Sequence, residues 1–296
     1  MKKTLFLSPP SFDGFDGGAG ARYQAKREIT SFWYPTWLAQ PAALVPGSKL
    51  VDAPPHGQSL EDVLKIARDY ELAILYTSSP TLDNDVKCAA AIKAQNPDVQ
   101  VGLVGPHVAV LPEKTLQDYP ILDFVCRNEF DFTCKELAEG KPYEQINGLS
   151  YRDKFGKIQH NPERELIHNW DEMPSVFPVY AEHLDIRKYL IGYLLNPYIS
   201  LYTGRGCPAR CTFCLWPQTI GGHQYRAKSP DAVGKEMALG KSLFGSGIRE
   251  YFFDDDTFTI DKYRAIAISE HLKKLKLTWS CNARSEEHTS ELQSHS

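Results

Sequence analysis

The chain has 296 residues, 42% hydrophobic and 24% charged, with a formal net charge of −4, a balance too near neutral to point to nucleic acid, and no Lys/Arg-rich run suggests it either. No stretch approaches the ~18 consecutive apolar residues of a membrane span, and "MKKTLFL" breaks at Ser8-Pro9-Pro10, too soon for a signal peptide. Seven cysteines, scattered apart from one cluster, do not form a secreted disulfide framework, so the expectation is a cytoplasmic protein with reduced thiols and, by length, about two domains.

In chain order, the first half alternates short apolar runs with amphipathic segments. Strands are predicted at Thr4–Leu7, Lys49–Ala53, Leu72–Thr77, Val99–Gly105 and Asp123–Arg127, each ending in a turn signal. They lack strict alternation, as strands covered on both faces do. Ser59 with Asp62 reads as a capping box opening a helix whose face carries Leu60, Val63, Leu64 and Ala67. Val86–Ala94 reads as a second helix, stopped by Asn96-Pro97. This alternation predicts an α/β, doubly wound (Rossmann-like) parallel sheet. Its ligand edge would carry Ser8-Pro9-Pro10, Ser78-Ser79 and Gly105-Pro106-His107, with His107 either a ligand contact or a loop histidine bonded to backbone. The aromatic run Ser31–Leu44 reads as packing beneath the first crossover rather than as a membrane-surface patch, because Pro35 and Pro41 prevent a continuous basic amphipathic helix. Gly148–Asn161 has the signature of a hairpin turning at Asp153–Gly156, and the proline-broken segment after it reads as a crossing between domains.

The second half opens with a strand at Tyr198 that runs into a glycine loop bearing Cys207, Cys211 and Cys214. A disulfide would leave one thiol over. Structural zinc would need a distant fourth ligand such as Cys281 or His223. Three thiolates can also hold three irons of a [4Fe–4S] cluster and leave one iron open to a non-protein ligand. Ser229-Pro230 then marks a helix start, with Val233, Met237, Leu243 and Phe244 at helical spacing and Gly234 and Gly240 weakening it. A strand from Ile248 ends in Asp254, Asp255 and Asp256; Asp261–Leu275 reads as a helix and Leu277–Ala283 as a further strand. Strand, helix, strand, helix, strand is the start of a (β/α) barrel, whose active groups lie at strand C-terminal ends. The aspartates read as helix caps and solvated groups, or as contacts to cofactor or substrate. Cys88, Cys126 and Cys134 read as buried packing residues, with Cys281 either near the site or plain core.

"GRGCPARCTFC" resembles the C-x3-C-x-Φ-C signature of the radical S-adenosylmethionine (SAM) enzymes, with Phe213 as the aromatic. The resemblance implies a [4Fe–4S] cluster on Cys207, Cys211 and Cys214, SAM on the open iron, Phe213 near its adenine, and reductive cleavage of SAM to a 5′-deoxyadenosyl radical. One or two of Asp254, Asp255 and Asp256 would contact SAM or substrate, and Gly221-Gly222 is a weak match to a SAM loop. Domain order resembles the B12-binding subgroup. It implies a cobalamin-binding-type domain at 1–142, a hairpin-containing linker at 143–192 and the first part of a radical SAM (β/α) partial barrel at 193–283. "GLVGPHVAVLPE", with Gly105 and His107, resembles that subgroup's fourth-strand loop, whereas "DAPPHG" lacks the spacing of its cobalt-binding histidine motif. Cobalamin is therefore an expectation from domain order alone. The alternative from another class is a non-catalytic cobalamin carrier with structural zinc.

Five further stretches, Pro9–Ile29, Phe32–His56, Arg127–Thr133, Cys211–Arg226 and Phe252–Thr259, look like the hopanoid-biosynthesis-associated radical SAM proteins of bacteria. This implies a substrate of the bacteriohopanetetrol type modified on its polar side chain, with amino sugar to cyclitol ether conversion as one form. It also implies a reductant such as flavodoxin or ferredoxin and peripheral contact with the inner membrane, for which the Phe32–Leu38 aromatics or a missing part of the barrel are candidates. The tail Arg284–Ser296 has no apolar periodicity and reads like a translated sequencing adapter. The expectation is a non-native end to a truncated barrel, and an inactive fragment of an active parent.

Overall fold

The computed structural model describes residues 1–14 and 31–283. Part of the Pro9–Ile29 stretch and the whole adapter-like tail lie outside the described residues.

Five parallel strands open the chain: β1 (Thr4–Ser8), β2 (Lys49–Asp52), β3 (Leu72–Tyr76), β4 (Gln100–Val104) and β5 (Phe124–Cys126). The hairpin β6 (Leu149–Arg152) and β7 (Ile158–His160) continues the sheet antiparallel, giving the order β2-β1-β3-β4-β5-β6-β7. The hairpin turns at Asp153–Gly156, as its sequence predicts. It pairs with β5 instead of standing apart, because an edge strand as short as β5 leaves backbone groups for a neighbour to satisfy.

Helices fill the connections: α1 (Thr36–Leu44), α2 (Ala53–His56), α3 (Leu60–Ala67), α4 (Leu82–Gln95), α5 (Pro106–Val110), α6 (Pro112–Asp118) and α7 (Asp131–Ala138). The Ser59–Asp62 capping box is present at the start of α3. Side chains alternate across the sheet: Leu5, Leu7, Ala73, Leu75 and Val101 pack on one face with α3 and α4, while Phe6, Ile74, Tyr76 and Phe124 pack on the other.

That second face does not end with the first sheet. Its apolar cluster runs through Trp33, Tyr34, Trp37 and Leu38, then α8 (Phe177–His183), and on to Tyr198, Leu201 and Phe253 in the second half. The aromatic run packs inside, as expected, and only its candidacy for membrane contact meets a correction here. Helix α1 runs through Pro41, whose interruption removes one backbone donor without ending the helix, because its residues from Thr36 to Ala42 are buried and held by tertiary packing. The Phe32–Leu38 aromatics proposed for membrane contact are mostly interior, with Trp33, Tyr34 and Trp37 no more than 8% exposed.

The second half contains β8 (Tyr198–Leu201), the two-residue ladder of β9 (Gly204–Arg205) with β10 (Arg226–Ala227), α9 (Pro230–Phe244), β11 (Glu250–Phe253), α10 (Lys262–Leu275) and β12 (Trp279–Cys281). Strands β8, β11 and β12 form a parallel sheet in that order, linked by α9 and α10. Ser229 caps α9, and both glycines inside it have a reason: a Cβ on Gly234 would lie 2.7 Å from His271, and one on Gly240 2.6 Å from Phe177. The C-terminal ends of the two parallel sheets face each other. Ser8, Tyr76, Tyr202 and Asp254 line one small cavity there with Trp33, Tyr34, Trp37 and Trp216.

Candidate active site

Strand β8 delivers the chain to Thr203, where Asp255 takes over. Thr203 donates its backbone N–H (2.6 Å) and its hydroxyl (2.7 Å) to the two oxygens of the fully buried Asp255 carboxylate. Arg264 of α10 donates to the Thr203 hydroxyl (2.9 Å) and to Tyr225 Oη (2.9 Å). Burial pushes Asp255 up to about 6, although Arg264 and the Thr203 bonds pull the other way.

The β9–β10 ladder then pinches the base of the cysteine loop. Gly206 has φ +90°, and a Cβ there would sit 2.2 Å from the Gln224 carbonyl, so only glycine fits. Its N–H donates to Asp256 Oδ2 (3.1 Å). The next residue, Cys207, is 8% exposed and donates its N–H to the Gly222 carbonyl (3.2 Å), while Cys214 donates to the Cys211 carbonyl (3.1 Å). None of the three cysteines is in a disulfide, and Cys211 and Cys214 are half-buried. Phe213 between them is 90% exposed, and Trp216 stacks on Trp37 with centroids 5.7 Å apart.

A buried charge network lies beneath the loop. Arg205 pairs with Asp131 and Glu129, and Arg226 pairs with Glu129 (2.8 Å) and donates to the carbonyls of Ile167 (2.8 Å) and Gly221 (2.5 Å). The Arg205 guanidinium lies between the rings of Trp37 (4.5 Å) and Trp170 (4.9 Å). Glu129 and Asp131 follow β5 in the first sheet; Arg205 and Arg226 flank the cysteine loop. Sequence reasoning missed this arrangement. Its only signal was that "RNEFDFT" and the arginine of "GRGC" each stood among the resembling stretches, with nothing local to pair them.

The predicted site residues thus separate. Asp255 and Asp256 hold the backbone on which Cys207 sits, and they cap no helix; Asp261 caps α10 instead. Asp254 accepts from Asn282 Nδ2 (2.9 Å) and lines the inter-sheet cavity. Gly221 and Gly222 supply carbonyls to Arg226 and Cys207. On the first sheet, His107 Nδ1 is 2.9 Å from Ser79 Oγ, so it bonds a side chain and joins the β3 and β4 loops. Burial lowers the His107 pKa. Gly105 lies so close to Thr77 that a Cβ would be 2.2 Å from its carbonyl oxygen. Helix α5 after this loop packs on the turn Pro217–Gly221 that follows the cysteines, so the two predicted site regions are neighbours. His56, in the stretch without the cobalt-binding spacing, contacts the Asp52 carbonyl (2.8 Å) and accepts from Asp185 N–H (3.0 Å), so both ring nitrogens are engaged.

Three cysteines outside any disulfide on one anchored loop are the donor set an iron–sulfur cube takes, each thiolate serving a different iron. Among the described residues, no three His, Cys, Asp or Glu side chains are placed around a single point as one zinc ion requires. Cys281 packs against the core and His223 is exposed. The small cavity that Ser8, Tyr76, Tyr202 and Asp254 line between the sheets is about 20 Å³, room for one water, so a corrin does not fit in that cavity as it stands. No helix among the described residues is long and apolar enough to cross a membrane.

No family model matches the chain. It is 34% identical over 295 residues to an uncharacterized methyltransferase of Pyrococcus horikoshii, covering 96% of this chain and 60% of that protein. The chain thus spans about 60% of that relative's length. Among solved structures, the cobalamin-dependent SAM radical enzyme OxsB, with aqua-cobalamin and SAM bound, superposes with TM-score 0.68 at 17% identity, over 95% of this chain and 38% of OxsB. The radical SAM methyltransferase TsrM of Kitasatospora setae, with cobalamin and a [4Fe–4S] cluster bound, gives 0.63 at 16%, over 93% of this chain and 53% of TsrM. The α/β arrangement of a parallel-strand sheet followed by a second parallel sheet is therefore that of cobalamin-dependent radical SAM enzymes.

Proposed function

We propose that this chain is part of a radical SAM enzyme of the cobalamin-dependent, methyltransferase-like group. The observation that carries the reading is the loop itself: Cys207, Cys211 and Cys214, none of them in a disulfide, on a loop fixed at the C-terminal end of a parallel strand by Asp255, Asp256 and Gly222. These cysteines would hold a [4Fe–4S] cluster, which with SAM supplies a one-electron cleavage and a carbon radical. The protein's part is local. Asp256 and the Gly222 carbonyl fix the backbone on either side of Gly206 Cα, immediately ahead of the Cys207 side chain. The exposed Phe213 ring offers an apolar face for adenine, and Asp254 places a carboxylate at the mouth between the sheets. On this reading residues 1–142 form the cobalamin-binding-type unit, 143–192 the linker and 193–283 the start of the barrel.

Cobalamin belongs to the proposal through the relatives' fold, with Gly105 and His107 on the facing loop. Because the aromatic wedge of Trp33, Tyr34 and Trp37 lines that small cavity between the sheets, admitting a corrin there requires that wedge to move. The chemistry proposed for this chain therefore runs through the cysteine loop alone. For the substrate we propose an extended hopanoid lipid modified on its polar side chain, supported by the five resembling stretches, and for the electron source a flavodoxin- or ferredoxin-type reductant. Membrane contact at Phe32–Leu38 is not part of the proposal.

Anaerobic reconstitution tests the reading. The full chain is expected to take up iron and sulfide, with a visible chromophore that added SAM perturbs, and Cys211→Ala is expected to abolish it. A colourless chain holding tetrahedral zinc, or a chromophore unaffected by Cys211→Ala, would overturn it.

A further inference from the structure

The carbonyls that surround Gly206 and Cys207 are held from below by one side chain. Arg226 donates through Nε to Gln224 O (3.2 Å) and through Nη2 to Gly221 O (2.5 Å), and the adjoining Gly222 carbonyl accepts from Cys207 N–H (3.2 Å). Arg226 is itself held by Glu129, which lies 97 residues earlier in the chain. The same Glu129 carboxylate accepts the Ile167 N–H (2.6 Å) and pairs with Arg205 (3.3 Å). Glu129, Asp131, Arg205 and Arg226 are at most 5% exposed, so water screens these charges little. As a set they are neutral, two carboxylates against two guanidiniums.

We propose that Glu129 is a positioning residue for Cys207, acting through Arg226 and the glycine carbonyls, and that the first sheet thereby tunes the metal cluster carried by the second. The inference rests on the iron–sulfur reading of the three cysteines. Two consequences are separable. Geometry is set by the guanidinium, whose planar fork reaches Glu129, Ile167 O, Gly221 O and Gln224 O at once, four acceptors against the three donors of an ammonium. Charge is set by the carboxylate: without it the loop rests on an excess of positive charge. Reduction adds an electron to the cluster, so that excess makes reduction easier and raises the midpoint potential.

The test uses the full chain, reconstituted anaerobically, as wild type, Glu129→Gln and Arg226→Lys. The readouts are iron per chain, the electron paramagnetic resonance line shape of the reduced cluster, its midpoint potential, and the thermal melt of the iron-free chain. Glu129→Gln is expected to raise the potential and alter the line shape while iron content stays near that of wild type. Arg226→Lys is expected to alter the line shape and lose iron in air several-fold faster, with little change in potential. If both variants keep the wild-type potential, line shape and iron retention, Glu129 only packs and the proposal is wrong. If both instead lose only melting temperature, the network is a structural tie and the proposal is equally wrong. Should Glu129→Gln fail to purify, Arg226→Lys decides on line shape and iron loss. A wild-type chain that binds no iron removes the underlying reading, and the proposal with it, whatever the variants show.

Discussion

Strand β3 and the cysteine loop lie in one structure and are held by different forces. In β3 every residue from Leu72 to Tyr76 is buried, and the side chains lock into apolar clusters on alternate faces of the sheet. The cysteine loop has no such core. Thr203, Gly206 and Cys207 are held by Asp255, Asp256 and a glycine carbonyl, over a buried set of paired charges. Apolar packing stabilises a sheet without fixing any atom to a fraction of an ångström, whereas charge-assisted bonds fix direction and are lost when one partner is removed. A loop that must present three thiolates in one geometry needs the second kind of support.

Removing Arg205 should give the largest effect on stability. Arg205→Ala leaves Asp131 and part of Glu129 unpaired in the interior and empties the space between Trp37 and Trp170. The expected loss is about 3–5 kcal/mol in chemical denaturation. A loss under about 1 kcal/mol would show the pairs to be dispensable and erase the contrast with the sheet. Leu75→Ala makes the matching cut in the first sheet, where the side chain is fully buried, and should cost about 2–5 kcal/mol. Below its lowered melting temperature this variant should still bind as much iron as wild type, because no charge or carbonyl at the loop moves. Iron loss as severe as that of Cys211→Ala would mean that the two regions are not independently supported.

The same contrast governs what could be read from the residues alone. The five first-sheet strands, the Ser59 and Ser229 caps and the helix–strand order of the second half were legible because each depends on neighbours a few positions away. The ligand role proposed for Cys207, Cys211 and Cys214 could be argued from the sequence because their spacing is local too. The roles of Asp255 and Asp256 were not, since Thr203 and Gly206, their partners, lie about 50 residues earlier. Glu129 and Asp131 are harder still: their value depends on arginines more than 70 residues away, and nothing in "RNEFDFT" announces them. The Phe32–Leu38 aromatics carried two meanings, interior wedge or membrane patch, and only the packing of Trp33 and Trp37 separates them.

A smaller effect comes from two carboxyls at the C-terminal edge of the first sheet. Burial raises both Asp52 and Asp85 from 3.8 to about 7, against opposing hydrogen bonds from Tyr189 and Ser8 in one case and from Thr81, Thr77 and Asn84 in the other. Between those values the folded chain keeps protons that the unfolded chain has released. Stability contributed by these groups is therefore present at low pH, falls as pH rises through the folded-state value, and levels off above it. The Asp52→Asn, Asp85→Asn double variant should flatten this slope, so its melting temperature relative to wild type rises from about pH 5 to about pH 8. A parallel pair of curves would place both carboxyls in contact with water.

The smallest change in stability belongs to the residue with the most exposed ring. Phe213 stands 90% exposed between Cys211 and Cys214, so Phe213→Ala removes almost no buried surface and should alter stability by no more than about 0.5 kcal/mol. Its effect should appear only with cofactor present. If the ring lies against adenine, the SAM concentration needed to perturb the cluster chromophore should rise several-fold while iron content stays at the wild-type level. An unchanged SAM titration would mean that the ring serves neither the fold nor the cofactor and that adenine is held elsewhere, with Asp254 and Trp216 at the inter-sheet mouth the next residues to vary.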